Sequence, residues 1–148
     1  MRKLTGQDFR ELGFLKHYRI VRRWACRKTE LNNADIELLI YFDCIGEFRK
    51  TDFEEGILTY SWDNRRWNRL LKEGWIKRWR KANNGDTQYS LYKISHKANC
   101  LIQQMYRIML GEEDIPMSVR RNKVIKRESY SDKLDARAMK LVNNDKTR

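Results

Sequence analysis

"RLLKEGWIKRWRKANNGDTQYSLYKIS" (Arg69–Ser95) is the stretch that decides the predicted fold of this chain. Its first residues continue a helical pattern, and Gly74 is placed to end that helix in the left-handed conformation. Two runs with strand character follow, Ile76–Lys81 and Gln88–Ile94, and residues 83–86 (Asn-Asn-Gly-Asp) join them. Because Asn-Gly between two such runs is a strong hairpin signal, the stretch predicts a helix followed directly by a β-hairpin.

Helical patterns lie on both sides of this hairpin. Apolar spacing and capping residues predict four helices before it and one after it. The first runs from Asp8 to about Lys28, and the second is capped by Asn33 and ended by Gly46. The third opens with a capping box at Thr51–Glu54 and reaches about Tyr60, and the fourth covers 62–73 and is capped by Ser61. The helix after the hairpin is capped by Ser95 and ended by Gly111. The chain is therefore predicted to be mainly α with a small β-hairpin.

The first predicted helix is apolar on more than one side. Its main stripe is widened by Phe14, Ile20 and Trp24. A helix of this kind packs against another subunit or within a broad core of its own domain. We expect the first alternative, a homodimer in which this helix is a dimerising element.

Charge is concentrated in blocks. The 148 residues include 32 Lys and Arg against 20 Asp and Glu, a net charge of +12. The block from 61 to 97 holds ten basic and three acidic residues, and the block from 117 to 148 holds ten and four. A charge of this size favours nucleic acid or an anionic membrane surface as the partner. No apolar run is long enough to span a membrane, and the first residues lack a signal-peptide pattern, so we expect a cytoplasmic protein with no membrane partner.

A helix pair followed by a basic hairpin is the winged helix-turn-helix arrangement, in which the second helix of the pair enters the major groove of DNA. Three segments also resemble MarR-type winged-helix regulators: "LNNADIELLIYF" (Leu31–Phe42), "LLKEGWIKR" (Leu70–Arg78) and "DTQYSLYKIS" (Asp86–Ser95). The resemblance covers roughly residues 10–110. It implies a homodimer, held by the first and last helices, whose two recognition helices face duplex DNA.

The candidate DNA-binding residues follow from this arrangement. Arginine can read guanine and asparagine can read adenine, whereas lysines on a wing hold phosphates. On the recognition helix, about 62–73, the candidates are Asn64, Arg65, Arg66 and Arg69, and on the wing, about 76–94, they are Lys77, Arg80 and Lys81. The sequence differs from the family at Asp63, where an aliphatic residue is usual, and at Thr87 and Gln88, where wing arginines are usual.

The last segment, residues 117–148, has no counterpart in that family. We predict a winged-helix domain over 1–116 and a basic tail over 117–148, with a short helix whose apolar face is Leu134, Ala138 and Leu141. Such a helix is too short to be stable alone, so the tail is expected to be disordered until it meets flanking DNA or a protein.

Two functions from different classes remain. The first is a MarR-like transcriptional regulator that binds double-stranded DNA. The alternative is a structural or assembly protein, such as a virion or nucleoid component, that uses the winged helix as a basic docking module. The sequence holds no glycine-rich phosphate loop, no nucleophile–His–acid set and no metal-ligand spacing around His17 or His96, so we expect no enzyme activity, no cofactor and no metal.

Overall fold

The computed structural model of this chain describes residues 5–7, 14–60 and 64–145, without the side chains of residues 14–16, 57–60 and 84. The described part contains six helices with defined bounds and one two-stranded antiparallel sheet. In chain order the elements are α1 (Phe14–Thr29), α2 (Asn33–Ile45), α3 (Lys50–Tyr60), α4 (Asn64–Lys72), β1 (Ile76–Asn84), β2 (Thr87–Ile94), α5 (His96–Met109), a 3₁₀ helix (Lys123–Lys126) and α6 (Tyr130–Asn144). The predicted class, mainly α with a small β-hairpin, is confirmed.

The chain divides into two compact units. The central unit is Asn32–Gln103, and the terminal unit combines Met1–Leu31 with Gln104–Arg148. The boundary falls inside α5, after Gln103. No helix in the described ranges is both long and apolar enough to cross a membrane.

The start of α2 is fixed by a reciprocal capping box. The Asn32 side chain accepts a hydrogen bond from the Asp35 N–H (2.9 Å), and Asp35 accepts one from the Asn32 N–H (3.1 Å). These two bonds satisfy backbone groups that have no partner within the helix. The prediction that Asn33 is the cap is wrong by one residue, because Asp35 stands three residues after Asn32.

α3 also starts earlier than the sequence predicts. It begins at Lys50, and Asp52 accepts a hydrogen bond from the Arg49 N–H (2.7 Å). Arg49 therefore takes the capping position that we predicted for Thr51. A carboxylate in the first turn also complements the positive end of the helix dipole. The helix extends to Tyr60, the last described residue before the gap at 61–63, so its predicted end is not tested.

Gly74 ends the next helix as predicted. Its φ is +80°, and the Trp75 N–H donates to the carbonyl oxygen of Leu70 (2.9 Å). This is the closing bond of a Schellman turn, which needs a residue in the left-handed conformation and so favours glycine. The chain thereby leaves α4 and enters β1 within a few residues, which places the hairpin directly after the helix.

The hairpin is confirmed, but its turn lies one residue further along than Asn-Gly would place it. Asn84 pairs with Thr87, so the two loop residues are Gly85 and Asp86. The backbone φ is positive at Gly85 (+66°) and not at Asp86. A positive φ at only the first loop residue is the pattern of a type II′ turn, which favours glycine at that place.

A β-bulge and an isolated bridge shape the two strands. Arg78 pairs with Tyr92 and Arg80 with Leu91, so Trp79 is an extra residue in β1. A bulge of this kind bends a strand and increases its twist. On the other side of β2, Phe48 and Tyr92 exchange backbone hydrogen bonds of 3.0 and 2.8 Å. This bridge ties the α2–α3 connection to the hairpin.

An aromatic cluster forms the core of the central unit. The rings of Phe42 and Phe48 stack with their centroids 3.8 Å apart, and the Trp67 ring meets both edge-on at 6.0 Å. All three side chains are buried. Because Trp67 lies on α4, its burial decides which side of that helix faces the core.

The terminal unit contains the largest difference from the sequence prediction. Residues 117–145 are not a weakly structured tail: α6 packs against α1, and two ion pairs join these helices. Arg23 lies 2.8 Å from Asp135, and Arg27 lies 3.3 Å from Asp132. The prediction was wrong because it judged the helix by its own stability, whereas helices in proteins are stabilised chiefly by tertiary packing.

The buried face of α6 is also different from the predicted face. Ala136, Met139 and Val142 are buried, whereas Leu134 and Leu141 are 49% and 66% exposed. The acidic residues that pair with α1 share the buried side, because Asp132 lies four residues before Ala136 and Asp135 lies four residues before Met139. The predicted apolar face of Leu134, Ala138 and Leu141 is therefore not the side that packs on α1.

α1 buries one broad face within this single chain. Ile20, Val21, Trp24 and Ala25 are all buried. The predicted beginning of this helix, residues 8–13, lies outside the described residues. The broad apolar surface that suggested a dimer is thus partly occupied by the chain's own core.

Candidate nucleic-acid interface

The outer face of α4 is polar and partly basic. Asn64, Arg65, Asn68 and Lys72 are exposed, whereas Trp67 and Leu70 are buried. Residues 64, 68 and 72 follow at steps of four and therefore lie along one side of the helix. The exposed face offers two amides, one guanidinium group and one ammonium group for contacts outside the chain.

Two of the predicted recognition residues are paired with a buried carboxylate. The Arg66 guanidinium lies 2.9 Å from Asp35 Oδ1 and 3.1 Å from Asn32 Oδ1, and the Arg69 guanidinium lies 2.5 Å from the same Asp35 oxygen. The Asp35 side chain is 1% exposed. Removing one partner of such a buried ion pair is costly, since a charge is then left without compensation.

This network gives Arg66 and Arg69 a positioning role. Asp35 is anchored in the α2 capping box through its other oxygen, so the two arginines connect α4 to the first turn of α2. The connection and the burial of Trp67 together fix how α4 is rotated. Direct contacts to a ligand then depend on the exposed side chains Asn64, Arg65, Asn68 and Lys72.

The basic side chains of the hairpin differ in whether they are already paired with a carboxylate. Lys77 and Lys81 are exposed and form no ion pair within the described part of the chain. Arg80 lies 3.3 Å from Glu47, and Lys93 lies 3.9 Å from the same carboxylate. An exposed pair of this kind contributes about 0–1 kcal/mol, so Arg80 can exchange Glu47 for another anion.

Two aromatic side chains of the hairpin, Trp79 and Tyr89, contact cations. Lys93 lies 4.0 Å from the centroid of the Trp79 ring, and Arg49 lies 4.0 Å from that of Tyr89. Trp79 is 48% exposed because the bulge carries it off the regular strand pattern. The register places Tyr89 opposite Ala82 and Tyr92 opposite Arg78, so neither tyrosine lies directly across from a tryptophan.

Asn68 and Lys72 are the exposed polar residues of α4 that the sequence reasoning left out of the site. The spacing of four from Asn64 would have found both, once the inward side of the helix was known. The first residues of the predicted recognition helix, Trp62 and Asp63, lie outside the described residues. Among the described residues no three His, Cys, Asp or Glu side chains are grouped as metal ligands.

No family model, no curated protein and no solved structure matches this chain. The resemblance to MarR-type regulators stays a prediction that depends on the residues quoted for it. The fold is that of a small α+β domain in which a helix and the hairpin after it carry exposed basic side chains.

Proposed function

We propose that the central unit binds double-stranded DNA as a winged helix, with α4 as the recognition helix and β1–β2 as the wing. The order of elements supports this proposal, since α3 and α4 are consecutive helices and the hairpin follows α4 within a few residues. The bridge between Phe48 and Tyr92 also supports it, because the bridge links the hairpin to the segment that leads into α3.

The observation that carries the proposal is the outer face of α4. An asparagine can make two hydrogen bonds to adenine, and an arginine can make two to guanine, in the major groove. Asn64, Arg65 and Asn68 present these groups on an exposed helix face, and Lys72 adds a phosphate contact at its end. Asp35 holds Arg66 and Arg69 in the core-facing network, so Arg65 is the arginine we assign to base reading.

The wing would hold the DNA backbone rather than read bases. Lys77 and Lys81 are exposed cations, and Arg80 is shared with Glu47. The tip of the hairpin carries Thr87 and Gln88, neither of which is charged. Phosphate contacts of this kind position a protein on DNA without adding sequence information.

The particular function that fits such binding is a MarR-like transcriptional regulator acting as a cytoplasmic homodimer. A dimer would place two recognition helices on half-sites about one helical turn apart, so the preferred sequence would be palindromic. Dimerisation through the terminal unit would set the distance between the two recognition helices.

The alternative, a structural or assembly protein such as a virion component, is favoured by one observation. Tyr130, Leu134 and Leu141 are 76%, 49% and 66% exposed, and they lie along one side of α6, opposite Met139. An exposed apolar stripe is typical of a surface that contacts another protein. On this interpretation the helix–hairpin surface is a basic docking module.

Selection of bound duplexes from a random-sequence pool tests the proposal. We expect enrichment of a palindrome, and Arg65→Ala should change the enriched bases at one position of each half-site. Lys133→Ala is the matched control, because it removes one exposed cation from the terminal unit and should leave the enriched sequence unchanged. A flat pool for the unaltered protein contradicts the regulator and leaves the assembly protein as the better account.

A further inference from the structure

Outside the central unit, a pocket of about 410 Å³ in the terminal unit is lined by cations. Four of its six lining residues are basic: Lys28, Arg120, Arg121 and Lys123, with Gln104 and Pro116 completing the wall. None of these six described residues is acidic. A carboxylate close to the pocket is that of Glu30, which lies 3.7 Å from Lys123 and is itself 85% exposed.

The loop that carries Arg120 and Arg121 is held in place from inside. The buried Asn122 donates to the carbonyl oxygen of Pro116 (2.8 Å) and accepts from the Val124 N–H (3.2 Å), which closes residues 116–122 into a compact loop. Asn143 of α6 makes two hydrogen bonds to the backbone of Ile115, at 2.7 and 3.0 Å. The two arginines therefore project from a loop that is anchored at both ends.

Lys28 is positioned from the other side of the pocket. Its Nζ donates to Gln104 Oε1 (3.2 Å) and lies 5.2 Å from the centre of the Trp24 ring. Neither Lys28 nor the two arginines, Arg120 and Arg121, form an ion pair within the described ranges. Like charges gathered around one volume repel each other, and an anion in that volume would offset the repulsion.

We propose that this pocket binds a phosphate group. Two neighbouring arginines supply planar pairs of donors that match phosphate oxygens, and the lysines add point charges on either side. The volume is within the range of small-ligand sites, so it has room for a phosphate together with part of the molecule that bears it. The phosphate belongs either to a free polyphosphate or nucleotide, or to a nucleic-acid backbone. The proposal does not depend on DNA binding by α4, since every residue it uses lies in the terminal unit.

Two double variants of the full chain test the pocket. Arg120→Ala with Arg121→Ala removes two lining cations, whereas Lys126→Ala with Lys133→Ala removes two exposed cations that do not line it. Both variants carry the same net charge, so any difference in affinity between them is caused by the pocket itself. Thermal unfolding midpoints equal to that of the unaltered protein show that all three chains are folded.

The probes are inorganic pyrophosphate and a short duplex of arbitrary sequence, each titrated calorimetrically. We expect the arginine variant to bind at least one probe roughly tenfold or more weakly, and the lysine control to stay within about twofold. Selective weakening for pyrophosphate alone identifies a free phosphate ligand, and selective weakening for the duplex identifies the nucleic-acid backbone. If neither probe distinguishes the two double variants, the proposal is overturned, because only net charge would then matter.

Discussion

At the scale of single residues, Asp35 determines what the arginines of α4 can do. Its buried carboxylate pairs with Arg66 and Arg69 and leaves Arg65 exposed. In the sequence these three arginines look alike, since they lie within one helical turn and a half. Their surroundings separate them into two that pair with a buried carboxylate and one that is exposed.

Arg66→Ala and Arg65→Ala should therefore differ in their effect on stability. Arg66→Ala leaves Asp35 with one ion-pair partner fewer, and we expect the free energy of unfolding to fall by about 1–3 kcal/mol. Arg65→Ala removes an exposed side chain, and its effect should stay below about 0.5 kcal/mol. Urea unfolding followed by tryptophan fluorescence measures both. Equal effects in the two variants would mean that Asp35 does not hold Arg66.

At the scale of elements, α6 shows which side of an amphipathic helix is buried against the rest of the unit. Two apolar stripes run along this helix, one with Leu134 and Leu141 and one with Met139 and Val142. The second is buried, and Asp132 and Asp135 on the same side pair with arginines of α1. The charged residues, rather than the largest apolar ones, thus indicate the orientation.

Met139→Ala and Leu141→Ala compare these two stripes directly. Met139 is fully buried, and its truncation should lower the free energy of unfolding by about 2–5 kcal/mol through the cavity it leaves. Leu141 is 66% exposed, and its truncation should change that free energy by less than about 0.5 kcal/mol. Hydrogen exchange should show protected amides in α6 of the unaltered protein. A larger decrease for Leu141→Ala than for Met139→Ala would contradict the burial of the Met139 side of α6.

At the scale of the whole molecule, the net charge of +12 has a measurable consequence. If a dimer neutralises roughly six to eight phosphates, the logarithm of the binding constant should fall with the logarithm of salt concentration at a slope of roughly −5 to −7. Light scattering at the same salt concentrations gives the number of chains per complex. Lys81→Ala should flatten the slope by about one unit for each phosphate that Lys81 neutralises. A slope near zero would show that the basic surfaces do not bind nucleic acid.

Much of the central unit could be predicted from the sequence, because its signals are local. Gly74 needs the left-handed conformation to close α4, and the turn at Gly85 needs a positive φ between two strands, so both boundaries are fixed by residues next to them. The caps at Asn32 and Arg49 were missed by one or two residues, since a cap is chosen by the carboxylate three residues further on. The blocks of like charge and the order of helix and hairpin can also be read from residues that are close together in the sequence.

By itself the sequence determined the class of the fold, the order of its elements and the basic character of the α4–hairpin surface. The tertiary structure alone decided that Arg66 and Arg69 face Asp35, that α6 packs on α1, and that Lys28 lies beside the 116–123 loop around one pocket. These contacts join residues far apart in the chain. Helix and strand propensities, capping residues and turn residues act over a few neighbouring positions. Which residue pairs with a charged side chain, and what covers an apolar helix face, depends on which distant elements pack together.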